Sequence, residues 1–183
     1  LYYRSVGHNA TFLLNFPVDR EGLIHPIDSA NAVNFHKMIQ RELQHNLVAG
    51  MTPKVSNERG KAFAAKAMTD DSWDTYWATG DGVTSADITF TFKKARKMNR
   101  IMLQEYIPLG QRVKKFKIET SEDGVTYTER GNGQTMTTVG YKRIIPLNGS
   151  TTNYSASGFK AKSVRITIEN AKACPLLHTV EVF

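Results

Sequence analysis

From residue 54 onward, apolar and polar positions alternate in short runs. Ala86, Ile88, Phe90 and Phe92 fall on one side of an extended segment. Ile101 and Leu103 do the same, as do Phe116, Ile118 and Thr120, then Val164, Ile166 and Ile168, and finally Val180 and Val182 in the closing run 176–183. Successive side chains of a strand point to opposite faces, so each run predicts a strand with one face in a core. Polar turn residues separate the runs: Glu122-Asp123-Gly124, Asn132-Gly133 and Asn148-Gly149. Short strands with polar turns predict a mainly β, antiparallel sandwich or barrel over residues 54–183.

Residues 1–47 read differently. Thr11-Phe12-Leu13-Leu14-Asn15-Phe16 is a continuous apolar run, which predicts a strand buried on both faces at about 11–16. Pro17 ends it, and Asp19-Arg20-Glu21-Gly22 predicts a turn. A helix is expected over about 28–47, with Asp28 as N-cap. Its apolar stripe is Ala32, Phe35, Ile39 and Leu43, spaced by three and four residues. Gly50 and Pro53 punctuate a linker at 48–53. A buried strand followed by a helix predicts the last unit of an α/β domain, ahead of the β module.

Composition narrows the classes. At 183 residues, 40% hydrophobic and 22% charged, the chain is in the globular range and can hold one domain, or one domain plus a piece of another. No apolar run reaches the roughly 18 residues of a membrane span, and no signal peptide is visible. The lone Cys174 excludes an internal disulfide and predicts a small buried hydrophobe. A net charge of +7 raises nucleic acid as a partner. The run Lys93-Lys94-Ala95-Arg96-Lys97 sits between alternating runs, as a solvated turn would, and Lys115 and Lys117 alternate with Phe116 and Ile118 on the wet side of a strand. No nucleic-acid partner is expected on that pattern.

The densest chemistry is Asp70-Asp71-Ser72-Trp73-Asp74-Thr75-Tyr76-Trp77-Ala78-Thr79. No helix or strand period fits it. Two readings stay open. Its carboxylates, hydroxyls and carbonyls suit a hard cation such as Ca²⁺, which takes about 6–8 oxygens. Alternatively, the same residues make an Asx turn bonded to its own backbone.

Several of these stretches together resemble a known family. Asp70 through Trp77, Ile101-Met102-Leu103-Gln104-Glu105, Gly110-Gln111-Arg112-Val113-Lys114-Lys115-Phe116-Lys117-Ile118-Glu119, Ser121-Glu122-Asp123-Gly124 and Val164-Arg165-Ile166-Thr167-Ile168 resemble the discoidin, or factor five/eight type C, domain. That resemblance implies a galactose-binding-like jelly-roll β-sandwich, a fold also used as a carbohydrate-binding module. Ser5-Val6-Gly7-His8-Asn9-Ala10-Thr11-Phe12-Leu13-Leu14-Asn15-Phe16-Pro17 with Gly22-Leu23-Ile24 resembles the end of the (β/α) barrel of α-L-fucosidases, glycoside hydrolase family twenty-nine. Barrel tail, helix, sandwich is that family's order.

The resemblance implies site residues. A structural Ca²⁺ would take the Asp70 carboxylate, the Thr75 hydroxyl and carbonyl, the carbonyls of Ser72 and Ala67, and the Glu181 carboxylate from the last strand. Trp77 matches a core position, whereas Trp73 is open as ligand platform or core lid. Sugar candidates are Trp73, Tyr106 and Arg112, with Glu105 and Gln104 nearby, and fucosylated or galactose-containing glycans as ligands. For Tyr106 the rival is an interface: Ile107-Pro108-Leu109 is an apolar tip suited to packing on the rest of the barrel. No catalytic residue is expected, since the family's nucleophile lies on a middle barrel strand. Asp19 and Glu21 read as turn acids and His8 as a structural histidine. The resemblance further implies a secreted or periplasmic setting. The apolar surface of 1–47 is expected to dock on the sandwich or to pair with another copy.

Overall fold

The computed structural model describes residues 1–131, 136–148 and 158–183. It is mainly β, as the alternation predicts. The strands are β1 (Lys54–Val55), β2 (Trp77–Ala78), β3 (Ala86–Met98), β4 (Arg100–Glu105), β5 (Val113–Ser121), β6 (Thr128–Arg130), β7 (Arg143–Pro146), β8 (Phe159–Ala171) and β9 (Leu176–Val182). They form two antiparallel sheets, one ordered β1-β3-β8-β5-β6 and the other β2-β9-β4-β7. The core lies between them. Ile88, Phe90, Phe116, Ile118, Val164 and Ile166 of the first sheet meet Trp77, Ile101, Leu103, Val180 and Val182 of the second. All are essentially fully buried, and burying each such side chain is worth about 1.5–3 kcal/mol. The period-two pattern fixes this register, because a slip of one residue would turn every core side chain to water.

Local chemistry settles the turns. Asp123 accepts N–H bonds from Val125 and Thr126 and a hydroxyl bond from Ser121, which holds its carboxyl far below the usual range. Gly124 follows with φ of +87°, a conformation that glycine adopts without strain. The Asn132-Gly133 turn lies outside the described residues, as does Gly149 of the Asn148-Gly149 pair. The basic run 93–97 is not a turn. β3 continues through it with a bulge between Thr91 and Arg96, then pairs Arg96, Lys97 and Met98 with β8. Met98, at 1% exposure, explains this, since carrying the strand onward returns an apolar side chain to the core.

The N-terminal region departs from expectation in two ways. Residues 11–16 form no strand, and Leu13 and Leu14 are exposed. None of the described strands pairs with this run, and a doubly buried strand requires neighbours on both edges and both faces. Phe12 rests on Phe35 of the helix instead, with ring centroids 5.8 Å apart. The helix, α1, spans Pro26–Glu42 rather than 28–47. His25 is the N-cap, its Nδ1 accepting from the Ile27 N–H; Pro26 takes the first helical position and Asp28 lies in the first turn. The helix stops early because the chain joins β9. The Leu47 N–H donates to the Val182 carbonyl at 2.8 Å, and the Asn46 side-chain Oδ1 accepts from the N–H groups of Val48 and Val182. The predicted stripe of Ala32, Phe35, Ile39 and Leu43 is half-buried.

A buried ionic clasp docks these pieces on the sandwich. Arg100 of β4 donates to Glu42 of α1 at 2.9 Å and to the Tyr3 hydroxyl, which in turn donates to Glu42 at 2.5 Å. Burial works to raise the Glu42 carboxyl, but Tyr3 and Arg100 outweigh it and hold the carboxyl low. Beside the clasp, Tyr3, Met102, Ile144 and Phe183 form a small apolar cluster on the outer face of the second sheet, with Leu43 against it. Breaking a buried pair strands a charge and costs about 3–5 kcal/mol. Glu42→Ala is therefore expected to lower the unfolding free energy by that amount in urea denaturation. Glu42→Ala combined with Arg100→Met is expected to recover most of the loss.

Candidate functional site

The other half of that outer face is open, and aromatic side chains wall it. Its origin is a bulge. β4 and β9 pair Gln104 with Thr179 but Glu105 with Leu177, leaving His178 as the extra residue on β9. Bulges re-aim side chains, and here the imidazole is brought onto the outer face. Trp73 lies against it with centroids 4.8 Å apart, and the Tyr106 ring is parallel to it at 6.4 Å. Tyr106 stacks on Tyr76 at 4.2 Å, and Tyr76 leans on Phe63 at 5.1 Å. The row borders a cavity of about 360 Å³ lined by Trp73, Gln104, Tyr106, Ile107, Tyr141 and His178.

His178 is the polar centre of this cavity. It is 8% exposed, its Nδ1 meets the Thr179 hydroxyl, and its Nε2 has no partner among the described residues. A buried polar atom without a partner carries a desolvation cost that a ligand hydroxyl would remove. Burial pushes the His178 pKa below its ordinary value, against the opposing charges of Asp70 and Asp71. The ring is thus neutral at pH 7 and presents one donor and one acceptor nitrogen.

Glu105 holds the cavity walls. Its Oε1 accepts from the N–H groups of Arg112 and Val113 at 2.7 and 2.8 Å, and its Oε2 accepts from Gly140 at 2.6 Å. The side chain is buried and spent on backbone, fixing the 106–112 loop that carries Tyr106 and the 140–142 loop that carries Tyr141. Arg112 turns away from the cavity, donating to the carbonyl and sulfur of Cys174 at 2.9 and 2.8 Å. Gln104 remains at the cavity, where its amide nitrogen donates to the Tyr141 carbonyl at 3.0 Å. Trp73 is 64% exposed, whereas Trp77 is fully buried with its indole N–H on the Asn57 carbonyl.

The acidic loop is an Asx turn. Asp70 accepts from the Ser72 N–H at 3.0 Å and from the Thr75 hydroxyl at 2.8 Å, so Asp70, Ser72 and Thr75 converge. Ala67 lies in the preceding single turn of 3₁₀ helix, Ala65–Thr69. Glu181 shares a cavity of about 180 Å³ with Asp71, whose φ is +61°. Burial pushes the Glu181 carboxyl up; Lys142 pulls it down, and Asp71 adds to the rise. Among the described residues no three His, Cys, Asp or Glu side chains converge as a metal site. Any cation here would rely on hydroxyl and carbonyl oxygens for most of its shell. No helix among the described residues is long and apolar enough to cross a membrane.

Sequence reasoning passed over His178 and Tyr141. His178 reads as one more alternating position of a strand, and only the bulge turns it outward. Tyr141 follows Gly140, whose φ of +65° is the one available signal that a loop presents it. The clamp is testable. Glu105→Ala leaves the N–H groups of Arg112, Val113 and Gly140 without their acceptor, a loss worth about 1–3 kcal/mol for each of the buried pair Val113 and Gly140. Hydrogen exchange is expected to show the amides of Arg112, Val113 and Gly140 losing protection together.

Residues 52–181 match the F5/8 type C domain model. The chain is 29% identical over 180 residues to alpha-L-fucosidase 1 of Arabidopsis thaliana, covering 97% of this chain and 34% of that protein. It thus spans about a third of the length of the curated relatives it matches. Its structure is similar to a GH29 fucosidase of Ruminococcus gnavus in complex with fucose, with a TM-score of 0.86, 30% identity, and coverage of 100% of this chain and 35% of that one. It is also similar to chitosan-binding module 1 of a chitosanase/glucanase from Paenibacillus sp. IK-5, with a TM-score of 0.60 and 24% identity over 76% of this chain and 98% of that one.

Proposed function

This chain belongs to the F5/8 type C domain family, and from that membership we propose that it is the non-catalytic, carbohydrate-binding end of a glycoside hydrolase that releases α-L-fucose from glycans. The carrying observation is the aromatic cavity with the His178 Nε2 at its centre, which has no partner among the described residues. Trp73 supplies an exposed ring face for a sugar, and Tyr106 and Tyr141 the side walls. His178 Nε2 and Gln104 supply polar contacts to hydroxyls. Fucosylated or galactose-containing glycans are the proposed ligands, and a secreted or periplasmic setting follows from where such glycans are met. The hydrolytic carboxylates belong to the part of such enzymes that this chain does not span. Asp19 supports that division, since its carboxylate accepts from the N–H groups of Glu21 and Leu23 in an exposed turn.

A second reading has its own observation. Ile107 and Leu109 are 36% and 47% exposed at the tip beside the cavity, which suits packing on a catalytic barrel. In that case the module braces its enzyme and has no sugar affinity. Titration calorimetry with L-fucose, fucosylated oligosaccharides, galactose and N-acetylgalactosamine separates the two. Heat with at least one sugar is expected, with affinity falling about tenfold in His178→Ala, the loss of one hydrogen bond to a buried group. Absence of heat with all of them removes the lectin reading.

We also propose Ca²⁺ as a structural ion of the acidic loop. The converging oxygens of Asp70 and Thr75 support this, with carbonyls of Ser72 and Ala67 completing the set. Glu181 contributes only if the ion also draws in Asp71. When bound, the ion supplies a fixed charge that pins the loop carrying Trp73. A ligand that binds only the folded state raises its stability by mass action, by about 2.7 kcal/mol at a hundredfold excess over Kd. Melting with Ca²⁺ is expected to lie several degrees above melting with a chelator, and Asp70→Asn is expected to abolish the difference. Identical melting curves would refute the ion.

A further inference from the structure

Three cations on the outer face of the first sheet have acidic partners. Lys115 pairs with Glu169 at 2.7 Å, and Lys117 and Arg165 both reach Glu119. The bulge of β3 gathers cations that have none. Lys93, Lys94, Arg96 and Lys97 are all exposed, and none has an acidic partner within 4.0 Å among the described residues. The register compounds the imbalance, because Lys97 stands directly opposite Lys160 of β8. Like charges facing each other across a ladder are destabilising. Lys97 also borders a cavity of about 470 Å³ whose far side carries Arg41 and His45 of the helix end. The one acid there, Glu42, is committed to Arg100 and Tyr3.

Four exposed cations within five residues, with Lys160 across the ladder and Arg41 and His45 at the adjoining cavity, make a surface for a polyanion. We propose that the basic bulge of β3, with Lys160 and the cavity at Arg41, binds an acidic polysaccharide through its sulfate or carboxylate groups. The choice of polymer rests on the carbohydrate reading above; the charge geometry does not. Single-stranded nucleic acid is disfavoured because sequence-tolerant binding needs aromatic rings on which bases stack. Among the described residues the only aromatic ring paired across this end of the ladder is Phe159, and the Arg130 guanidinium covers it at 4.1 Å. The surface is separate from the His178 cavity, so one module would hold a neutral sugar at one site and the charged backbone of a glycan at the other.

The test is titration of the whole chain with dextran sulfate, polygalacturonate, neutral dextran and double-stranded DNA. Each is run at low and near-physiological salt, on the native chain, on Lys94→Glu/Arg96→Glu/Lys97→Glu, and on His178→Ala. Binding of at least one acidic polysaccharide is expected, with none of neutral dextran. The affinity should fall about tenfold or more between about 50 and about 200 mM salt. Comparing dextran sulfate with polygalacturonate assigns the recognised group as sulfate or carboxylate. The triple variant should lose this binding without a lower melting temperature, since Lys97→Glu sets an opposite charge across from Lys160. His178→Ala should bind the polymers as the native chain does. The proposal is overturned if neither acidic polysaccharide binds at low salt, if the triple variant binds undiminished, if His178→Ala abolishes the binding, or if DNA binds more tightly than both polymers. Failure of every neutral sugar to give heat would remove the His178 reading and leave this one standing.

Discussion

Glu105 is a buried carboxylate solvated by three backbone N–H groups rather than by water. Hydrogen bonds to a charged acceptor are among the strong ones, and each N–H here would otherwise be an orphan in the interior. The three donors come from two loops far apart in sequence. One loop carries Tyr106 and the other Tyr141, so a single side chain sets the width of the open cavity between them. The bulge that aims His178 outward begins where Glu105 pairs with Leu177. Wall spacing and polar centre therefore share one origin at the end of β4.

The outer face of the second sheet is divided by charge and shape. One half is covered by Arg100, Glu42 and Tyr3, an ionic group whose members satisfy one another within the protein. The other half keeps Nε2 of His178 without a partner among the described residues, beside rings that offer apolar faces. The first sheet shows the same contrast in another form. Lys115, Lys117 and Arg165 lie against Glu169 and Glu119, while the β3 bulge concentrates cations with no acidic partner among the described residues.

Much of this fold was legible in the sequence because burial in a sandwich has a period of two. Ile88, Phe90, Ile118, Ile166 and Val180 are all in the core that their alternation predicts. Trp77 is buried where the family resemblance put it. The misreadings have a common cause. Phe12, Leu13 and Leu14 look like a buried strand because apolarity records a demand for neighbours without saying whether they are present. The run at 93–97 looks like a turn because a bulge and a turn are equally polar, and Met98 alone tells them apart. At the site, Trp73, Tyr106 and Gln104 were visible by residue type. Glu105 and Arg112 were visible as well, but their partners were not, and those partners make them scaffold. His178 was hidden because no local pattern encodes a one-residue mismatch between two strands distant in the chain.

The account stands on the His178 imidazole being an open hydrogen-bonding group inside a sugar-sized, aromatic-walled space. Nuclear magnetic resonance of the ¹⁵N-labelled chain observes that atom directly. On titration with L-fucose or galactose, the His178 Nε2 resonance is predicted to shift with saturation, together with the Trp73 indole and the Gln104 side-chain amide. An Nε2 resonance that stays in place while sugar-induced shifts appear elsewhere, or nowhere, would contradict it.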